Sequence, residues 1–180
     1  MANKTWLITG TSTGFGRALA EELVNVGKYN VVATARKLAA LDYLPEADNI
    51  LKVALDVTKA EQIAAAVSAT LEKFGTVDVL VNNAGYGYFG ALEESDQAQV
   101  HNMMDTNFWG ANDMTLAVLP TMRKNRSGHI LNVTSIGGLA TFPTFAYYHA
   151  SKFAMEGLFQ SLAKQVAPLG IKVTNVEPGG

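Results

Sequence analysis

Tyr148 and Lys152 have the spacing in this sequence that best suits proton transfer. They are four positions apart, so on a helix they lie on one face, one turn apart. A free tyrosine has a pKa of about 10 and is a poor acid–base catalyst near neutral pH, but a cation one turn away favours the phenolate. Ser135 is predicted to follow a strand, where its hydroxyl could polarise a carbonyl group. Together the three side chains predict a carbonyl-reducing site, which still needs a source of hydride.

Each of these residues also has a purely structural interpretation. Lys152 could be an exposed helix lysine, the usual position of that residue type. Ser135 could be a loop residue that caps the segment after it. Tyr147 is a competing tyrosine, but the residue four positions after it is Ser151, which carries no charge. Tyr148 is therefore the candidate acid–base residue.

The composition is that of one ordinary globular domain over residues 1–180. The chain is 48% hydrophobic with a net charge of −2, and its length is sufficient for a full core. Its 14 basic and 16 acidic residues are interspersed, so no nucleic-acid partner is predicted. The absence of cysteine excludes disulfides and thiol catalysis. The histidines, His101, His129 and His149, show no metal-ligand spacing, so no metal is predicted.

The two ends of the chain give further expectations. The first residues run directly into a predicted strand, so no signal peptide is expected. No apolar run approaches the roughly 20 residues of a membrane span, so a cytoplasmic protein without a membrane partner is expected. The chain stops at Gly180, directly after the last predicted strand. No helix follows to cover that edge, so the C-terminal part of the domain is expected to be missing.

Short β-branched runs alternate with longer helical segments, which predicts an α/β fold with a parallel sheet. The runs are continuously apolar, as expected for strands covered on both faces. Strands are predicted at Thr5–Thr9, Asn30–Thr34, Ile50–Asp56, Val77–Asn82, Ile130–Thr134 and Lys172–Val176. Helices are predicted at Gly16–Gly27, Leu38–Leu44, Ala60–Phe74, Asp96–Lys124 and Tyr148–Ala167. Pro120 is expected to kink or end the fourth helix, and Pro168 with Gly170 to end the fifth.

A glycine-rich segment joins the first predicted strand to the first helix, with the spacing G-x-x-x-G-x-G rather than the commoner G-x-G-x-x-G. Glycines let the backbone turn sharply and approach a pyrophosphate, which then lies at the positive end of the helix. The candidate phosphate-binding residues are Gly10, Thr11, Ser12, Thr13, Gly14, Phe15 and Gly16. The alternative is a plain strand-to-helix turn.

Arg36 and Lys37 follow the second predicted strand, where NAD-binding folds place an acidic residue for the ribose hydroxyls. An arginine at this position can pair with a 2′-phosphate. This favours NADP(H) as the cofactor, with NAD(H) as the second possibility. The alternative is a pair of solvated surface cations.

With these motifs the sequence resembles the short-chain dehydrogenase/reductase family over essentially its whole length. The motifs in the family's order are the glycine-rich turn, Asp56, Asn82-Asn83-Ala84-Gly85, Asn107, Ser135, Tyr148-x-x-x-Lys152 and Pro178-Gly179. The resemblance implies a single doubly wound Rossmann-type domain, with strand order 3-2-1-4-5-6 and helices on both faces. It also implies a homodimer or homotetramer that pairs through the two long helices.

The resemblance assigns the remaining cofactor contacts to three segments. These are Asp56 and Val57 at the adenine ring, Asn83, Ala84 and Gly85 at the adenosine, and Pro178 and Gly179 at the nicotinamide amide. Two of them have structural alternatives. Asp56 could be the N-cap of the next helix, and the segment from Asn83 to Gly85 could be a buried polar strand end.

The resemblance also implies how the candidate catalytic residues divide the work. Lys152 would bind the nicotinamide ribose and favour the phenolate of Tyr148, which would also contact the cofactor. Asn107 would hold a water that connects Lys152 to solvent. Asparagine is a mediocre helix former, and the alternative for Asn107 is a side chain satisfied within the helix interior.

The predicted function is reversible hydride transfer between a nicotinamide and a carbonyl compound or secondary alcohol. The segments Tyr86–Phe89, Ile136–Leu139 and Phe142–Phe145 are aromatic and apolar, which points to an apolar small-molecule substrate such as a ketone, steroid or retinoid-like compound. Two alternatives stay open at this stage. One is a non-catalytic NADP(H)-sensing protein, and the other is an epimerase or dehydratase that uses the same tyrosine–lysine pair.

Overall fold

Six short runs form one parallel sheet in the computed structural model, which describes residues 3–179. The strands are β1 (Lys4–Ile8), β2 (Tyr29–Ala35), β3 (Ile50–Ala54), β4 (Val79–Asn82), β5 (Gly128–Val133) and β6 (Ile171–Val176). Their order in the sheet is β3-β2-β1-β4-β5-β6, which confirms the predicted topology. At the centre, Leu80 of β4 pairs with Leu7 of β1 on one side and Ile130 of β5 on the other. The strand order reverses between β1 and β4, where sheets of this kind bind ligands.

Five α-helices connect the strands. They are α1 (Gly14–Val26), α2 (Ala60–Phe74), α3 (Gln97–Met104), α4 (Gly110–Asn125) and α5 (Ala146–Val166). The helix predicted at residues 38–44 is only a 3₁₀ turn, Leu38–Leu41. Among residues 3–179, every helix is too short or too polar to cross a membrane.

Neighbouring residues of a strand face opposite sides of the sheet, and both sides are covered. On one side Ile8 packs with Leu23 of α1 in a buried cluster. On the other side Leu7 belongs to a larger cluster with Met114 of α4 and Phe159 of α5. Helices therefore cover both faces, as predicted.

The helix predicted over Asp96–Lys124 is confirmed, because the chain is helical from Gln97 to Asn125, but one turn inside it is of a different type. Asp96 lies before the helix as the N-cap of α3, where its carboxylate accepts the backbone N–H of Ala98 at 2.9 Å. The segment Asp105–Trp109 between α3 and α4 is a π-helical turn. Turns of this type are rare and occur frequently at functional sites, and this one contains Asn107.

The two proline predictions have different outcomes. Helix α4 continues past Pro120 to Asn125, so Pro120 does not end it. Proline lacks the N–H that would bind the carbonyl of Leu116; both residues are exposed, so water can bind that carbonyl instead. Helix α5 ends at Val166, before a 3₁₀ turn that contains Pro168, and Gly170 follows with a φ of 76°. The predicted end of the fifth helix is confirmed.

Candidate active site

A cleft of about 1120 Å³ opens along the carboxyl ends of the strands. The glycine-rich turn lines the same cleft as Tyr148 and Lys152, so a single cleft joins the two motifs. Among the predicted site residues, the cleft is lined by Gly10, Ser12, Thr13, Gly14, Phe15, Arg36, Asp56, Val57, Asn83, Ala84, Gly85, Ser135, Tyr148, Lys152, Pro178 and Gly179.

The glycine-rich turn depends on glycine at positions 10 and 16. Gly10 has a φ of 70°, a left-handed conformation that other residues rarely adopt. A Cβ atom there would lie 2.9 Å from the Cα of Ala84. A Cβ atom on Gly16 would collide with the Asn83 amide and the Gly10 carbonyl. The turn therefore packs closely against the end of β4, which leaves its outer backbone free for a ligand.

Asn83 holds the glycine-rich turn in place. Its Nδ2 donates to the carbonyl oxygens of Thr9 and Gly10, both at 2.9 Å. The hydroxyl of Thr9 accepts the backbone N–H groups of Asn83 and Ala84, both at 3.0 Å. The structural alternative for this segment is therefore realised, because the Asn83 side chain is satisfied by the protein itself. Asn83 therefore supports the turn that lines the cleft.

Positive charge gathers where the cleft passes the ends of β2 and β3. Arg36 and Lys59 both line this end and are exposed. Within residues 3–179, Arg36 takes part in no salt bridge, so it is available to an anionic ligand. Asp56 lies nearby and accepts the N–H and the hydroxyl of Thr58 at 3.0 and 2.8 Å.

Burial, hydrogen bonds and the neighbouring cations Lys59 and Arg36 affect the pKa of Asp56. Burial by itself raises the pKa of the carboxyl, but the hydrogen bonds from Thr58 and the charges of Lys59 and Arg36 outweigh it, so the pKa lies below its ordinary value. Asp56 is therefore ionised at neutral pH and partly neutralises the two cations. The N-cap alternative is wrong, because α2 begins at Ala60 with Lys59 as its N-cap.

Lys152 is buried, with 5% of its surface exposed, so the alternative of an exposed helix lysine is wrong. Its Nζ donates to the carbonyl oxygen of Val133 at 2.9 Å and lies 5.8 Å from the centroid of the Tyr148 ring. Burial lowers the pKa of Lys152 to about 8. An ammonium group has three N–H donors, and Val133 takes one of them. The Sδ atom of Met155 accepts a second, at 3.9 Å, so one donor remains for a group inside the cleft.

The structural interpretation of Ser135 as a capping residue is confirmed, and its position also allows the catalytic one. Its hydroxyl oxygen accepts the backbone N–H of Gly137 at 2.9 Å and so caps the 3₁₀ turn Ile136–Gly138. It also lines the cleft together with Tyr148. Because the oxygen already accepts a hydrogen bond, its own hydrogen is free to be donated to a carbonyl oxygen.

Asn107 is fully buried and ties three parts of the site together. Its Nδ2 donates to the carbonyl of Tyr86 at 2.9 Å and to the hydroxyl of Ser151 at 3.1 Å, and its Oδ1 accepts the Tyr86 N–H at 3.0 Å. These partners lie outside its own helix, so the prediction of a side chain satisfied within the helix interior is wrong. The π-helical turn directs this side chain towards the loop after β4 and towards α5.

Four predicted site residues do not line the cleft. Thr11 points inward, where its hydroxyl donates to the carbonyl of Thr34 at 3.1 Å. Gly16 packs against Asn83, as described above, and Lys37 precedes the 3₁₀ turn at residues 38–41. Asn107 lies behind the wall of the cleft. Thr11, Gly16 and Asn107 therefore support the walls of the cleft from behind, and Lys37 lies beside it.

Tyr86 and Gly87, from the segment predicted to line the substrate pocket, also line the cleft. The sequence interpretation missed other lining residues, which are Ala35, Leu55, Thr58, Lys59, Asn102, Asp105, Thr106, Val133 and Thr134. Most of them extend a predicted segment by one to three positions, because a cleft follows strand ends rather than motif boundaries. Asn102, Asp105 and Thr106 have the three- and four-residue spacing of one helix face. That spacing was visible in the sequence, but no motif drew attention to it.

A parallel sheet with a glycine-rich turn at its switch point defines a dinucleotide-binding α/β protein. A family model described as short chain dehydrogenase matches residues 4–180. The chain belongs to the short-chain dehydrogenase family, as the sequence motifs predicted.

Individual relatives agree with this assignment. 3-Ketodihydrosphingosine reductase from Bacteroides thetaiotaomicron is 44% identical over 176 residues, which cover 96% of this chain and 62% of that protein. A short-chain dehydrogenase structure from Streptomyces avermitilis has a TM-score of 0.96 and 43% identity, covering 100% of this chain and 66% of that one. The structure of ElxO with NADP bound has a TM-score of 0.93 and 35% identity, covering 98% and 73%. The chain spans 57% to 65% of the length of such curated relatives.

Proposed function

We propose that this chain interconverts a carbonyl compound and a secondary alcohol with NADP(H), using Tyr148 as the general acid and base. The observation that carries the proposal is that Ser135, Tyr148 and buried Lys152 share one cleft with the glycine-rich turn. The relatives named as reductases and dehydrogenases support the reaction class. They do not favour the alternatives of a sensor or an epimerase.

The cleft fits a dinucleotide on the chemistry of its residues. The close packing of Gly10 against Ala84 lets the backbone turn sharply at the start of α1, which suits a pyrophosphate. Arg36 and Lys59 would hold an anionic group at the adenosine end, and Pro178 with Gly179 closes the opposite end. When bound, the nicotinamide supplies or accepts the hydride.

The chain's own residues then handle the oxygen of the substrate. Ser135 donates its free hydroxyl hydrogen to the carbonyl oxygen, and Tyr148 donates the proton that turns this oxygen into an alcohol. The ammonium of Lys152 stabilises the phenolate that remains on Tyr148. Asn107 keeps the loop at Tyr86 in place beside Lys152, and we propose that this tie supports the return of a proton to the tyrosine. In the oxidising direction the same steps run in reverse.

We propose an apolar substrate. Tyr86 lines the cleft, and Phe89 packs on Phe145, which lies beside Tyr148. Phe142 lies on the segment that follows Ser135, and the exposed fractions of Tyr86, Phe89 and Phe142 are 45%, 61% and 52%. Exposed apolar surface of this kind marks binding sites. The name of one relative, 3-ketodihydrosphingosine reductase, is consistent with a ketone on an apolar chain.

A comparison of NADPH and NADH binding tests whether Arg36 recognises the 2′-phosphate of the cofactor. Arg36→Ala is expected to weaken NADPH binding by roughly 10- to 100-fold, because a charge-assisted hydrogen bond to a phosphate contributes about 1.5 to 3 kcal/mol. NADH binding should stay within about twofold, because NADH has no 2′-phosphate. Fluorescence titration of each variant with both nucleotides measures this difference.

Lys37→Ala is the matched control, since Lys37 is a neighbouring cation outside the cleft, and it should leave both affinities nearly unchanged. An equal loss of NADPH and NADH affinity in the Arg36 variant would remove Arg36 from phosphate recognition. Failure of the unaltered chain to bind either nucleotide would contradict the proposed function itself.

We also propose that the chain forms a homodimer or homotetramer through α4 and α5. Leu116 of α4 and Phe153 of α5 are exposed by 58% and 43%, and burying such side chains stabilises an interface. Sedimentation velocity should show an oligomer that Leu116→Glu converts to monomer. A monomer at all concentrations of the unaltered chain would contradict this proposal.

A further inference from the structure

His149 lies next to Tyr148 on α5 and takes no part in the proposed proton transfer, yet both of its ring nitrogens are engaged. The side chain is only 4% exposed. Its Nδ1 lies 2.8 Å from the carbonyl oxygen of Gly137, and its Nε2 lies 2.8 Å from the backbone nitrogen of Phe142. Both partners are backbone groups of the segment from Ile136 to Phe145, which follows Ser135 and which we call the substrate wall.

These two partners fix the chemical state of the imidazole. A carbonyl oxygen can only accept, so Nδ1 must carry a hydrogen. A backbone N–H can only donate, so Nε2 must carry none. His149 is therefore neutral and in the Nδ1–H tautomer, and an imidazolium or the other tautomer would break one of the two contacts.

Gly137 is held from both sides of its backbone. Ser135 accepts its N–H at 2.9 Å, and His149 donates to its carbonyl oxygen at 2.8 Å. A Cβ atom on Gly137 would lie 2.9 Å from His149 Nδ1, so this approach requires glycine. By fixing Gly137, the imidazole also fixes the N–H that binds the Ser135 hydroxyl oxygen. In the proposed reaction this hydroxyl has to donate its hydrogen to a group in the cleft.

The second contact holds Phe142, in the segment Phe142–Phe145 that is predicted to line the substrate pocket. Phe142 is 52% exposed and lies outside any strand or helix, so the imidazole takes the place of a secondary-structure partner for its N–H. The other end of this wall is fixed separately, because Gly90 donates its N–H to the carbonyl of Thr144 at 2.9 Å. Thr144 has a φ of 70°, an unfavourable conformation for threonine that such contacts must maintain.

We infer that His149 is a positioning residue that holds Ser135 through Gly137 and the substrate wall through Phe142. The link of His149 to catalysis rests on the proposed function, whereas its two contacts can be tested without a substrate.

The first test measures the nitrogen-15 chemical shifts of the His149 imidazole in the unaltered chain. A hydrogen on Nδ1 and none on Nε2 is expected at neutral pH, and the opposite tautomer or an imidazolium would overturn the inference.

Two conservative variants separate the two contacts. His149→Asn places an amide nitrogen near the position of Nδ1 and can keep the Gly137 contact, whereas His149→Gln reaches the position of Nε2 and can keep the Phe142 contact. Hydrogen exchange at the Phe142 amide should be at least about tenfold faster in His149→Asn than in His149→Gln, because exchange reports the local opening free energy. Equal exchange rates in the two variants would overturn the inference.

Catalysis separates positioning from simple loss of stability. With NADPH and an apolar ketone, His149→Asn should mainly raise KM, because the wall is loosened, and His149→Gln should mainly lower kcat, because Ser135 is no longer held. NADPH affinity should stay within about twofold in both, since His149 does not line the dinucleotide cleft. The same change in KM and kcat in both variants would contradict separate roles. An unaltered chain that lacks turnover but shows the expected tautomer and exchange would contradict the proposed function and leave the two contacts established.

Discussion

Replacing Tyr148 with phenylalanine is expected to lower turnover by roughly 10²- to 10⁴-fold, the range that a positioned acid–base group contributes. The variant loses only the phenolic oxygen and keeps the ring that packs beside Phe145, with a centroid distance of 6.5 Å. NADPH affinity should change by less than about threefold, because Ser135, Lys152 and the glycine-rich turn are unchanged. The measurement is the initial rate of NADPH oxidation with a panel of apolar ketones, together with a binding titration.

The neighbouring tyrosine supplies a matched control. Tyr147 also lies on α5 and is half-buried, but its hydroxyl accepts a hydrogen bond from Gln97 at 3.2 Å and lies outside the cleft. Tyr147→Phe should therefore keep turnover within about twofold of the unaltered chain. If the two variants have similar rates, the acid–base role assigned to Tyr148 is wrong.

Lys152→Met has the second large expected effect, a loss of turnover of roughly 10²- to 10³-fold, because it removes the charge that stabilises the phenolate. Methionine keeps an unbranched chain of similar length, so the buried space stays filled. The rate assay used for Tyr148→Phe also measures this effect. Turnover near that of the unaltered chain would contradict the role of the lysine.

The same variant should change stability in a pH-dependent way. The pKa of Lys152 is about 8 in the folded chain and about 10.4 in an unfolded one. Between these values the unfolded state binds more protons, so the lysine's contribution to stability rises with pH and is lost as pH falls through 8. The difference in unfolding free energy between Lys152→Met and the unaltered chain should therefore shift by roughly 2 to 3 kcal/mol in favour of the variant on going from pH 10 to pH 7.

Urea unfolding at both pH values measures this shift. Lys164→Met is the control, since Lys164 lies on the same helix but is exposed, and its effect should hardly depend on pH. A pH-independent effect of Lys152→Met would mean that the lysine is not held in the buried position described here.

Much of the fold could be predicted because local sequence patterns determine it. The short, continuously apolar and β-branched runs predicted the six strands, and α2 was predicted with its observed bounds, Ala60–Phe74. The resemblance to a known family supplied the strand order. The shared face of Tyr148 and Lys152 followed from helix periodicity alone, since a four-residue spacing needs no information about the rest of the chain.

Other features depend on contacts between distant segments, which local patterns do not encode. Asn107 binds Tyr86 and Ser151, which are 21 and 44 residues away, and it lies in a π-helical turn that periodicity cannot distinguish from an α-helix. The burial of Lys152 depends on Val133, 19 residues before it. A lysine in a helix is usually exposed, so only the packed structure could show that this one is desolvated and has a lowered pKa.

The sequence alone therefore determined which residues share a helix face or a turn, because neighbouring residues are held at fixed spacing by the backbone. Tertiary structure alone decided which side chains meet across elements and which lose their water. Thr11 illustrates the difference, because it belongs to the glycine-rich motif but turns towards Thr34 and away from the cleft. His149 illustrates it as well, since its two partners come from a wall whose path is set by packing against α5.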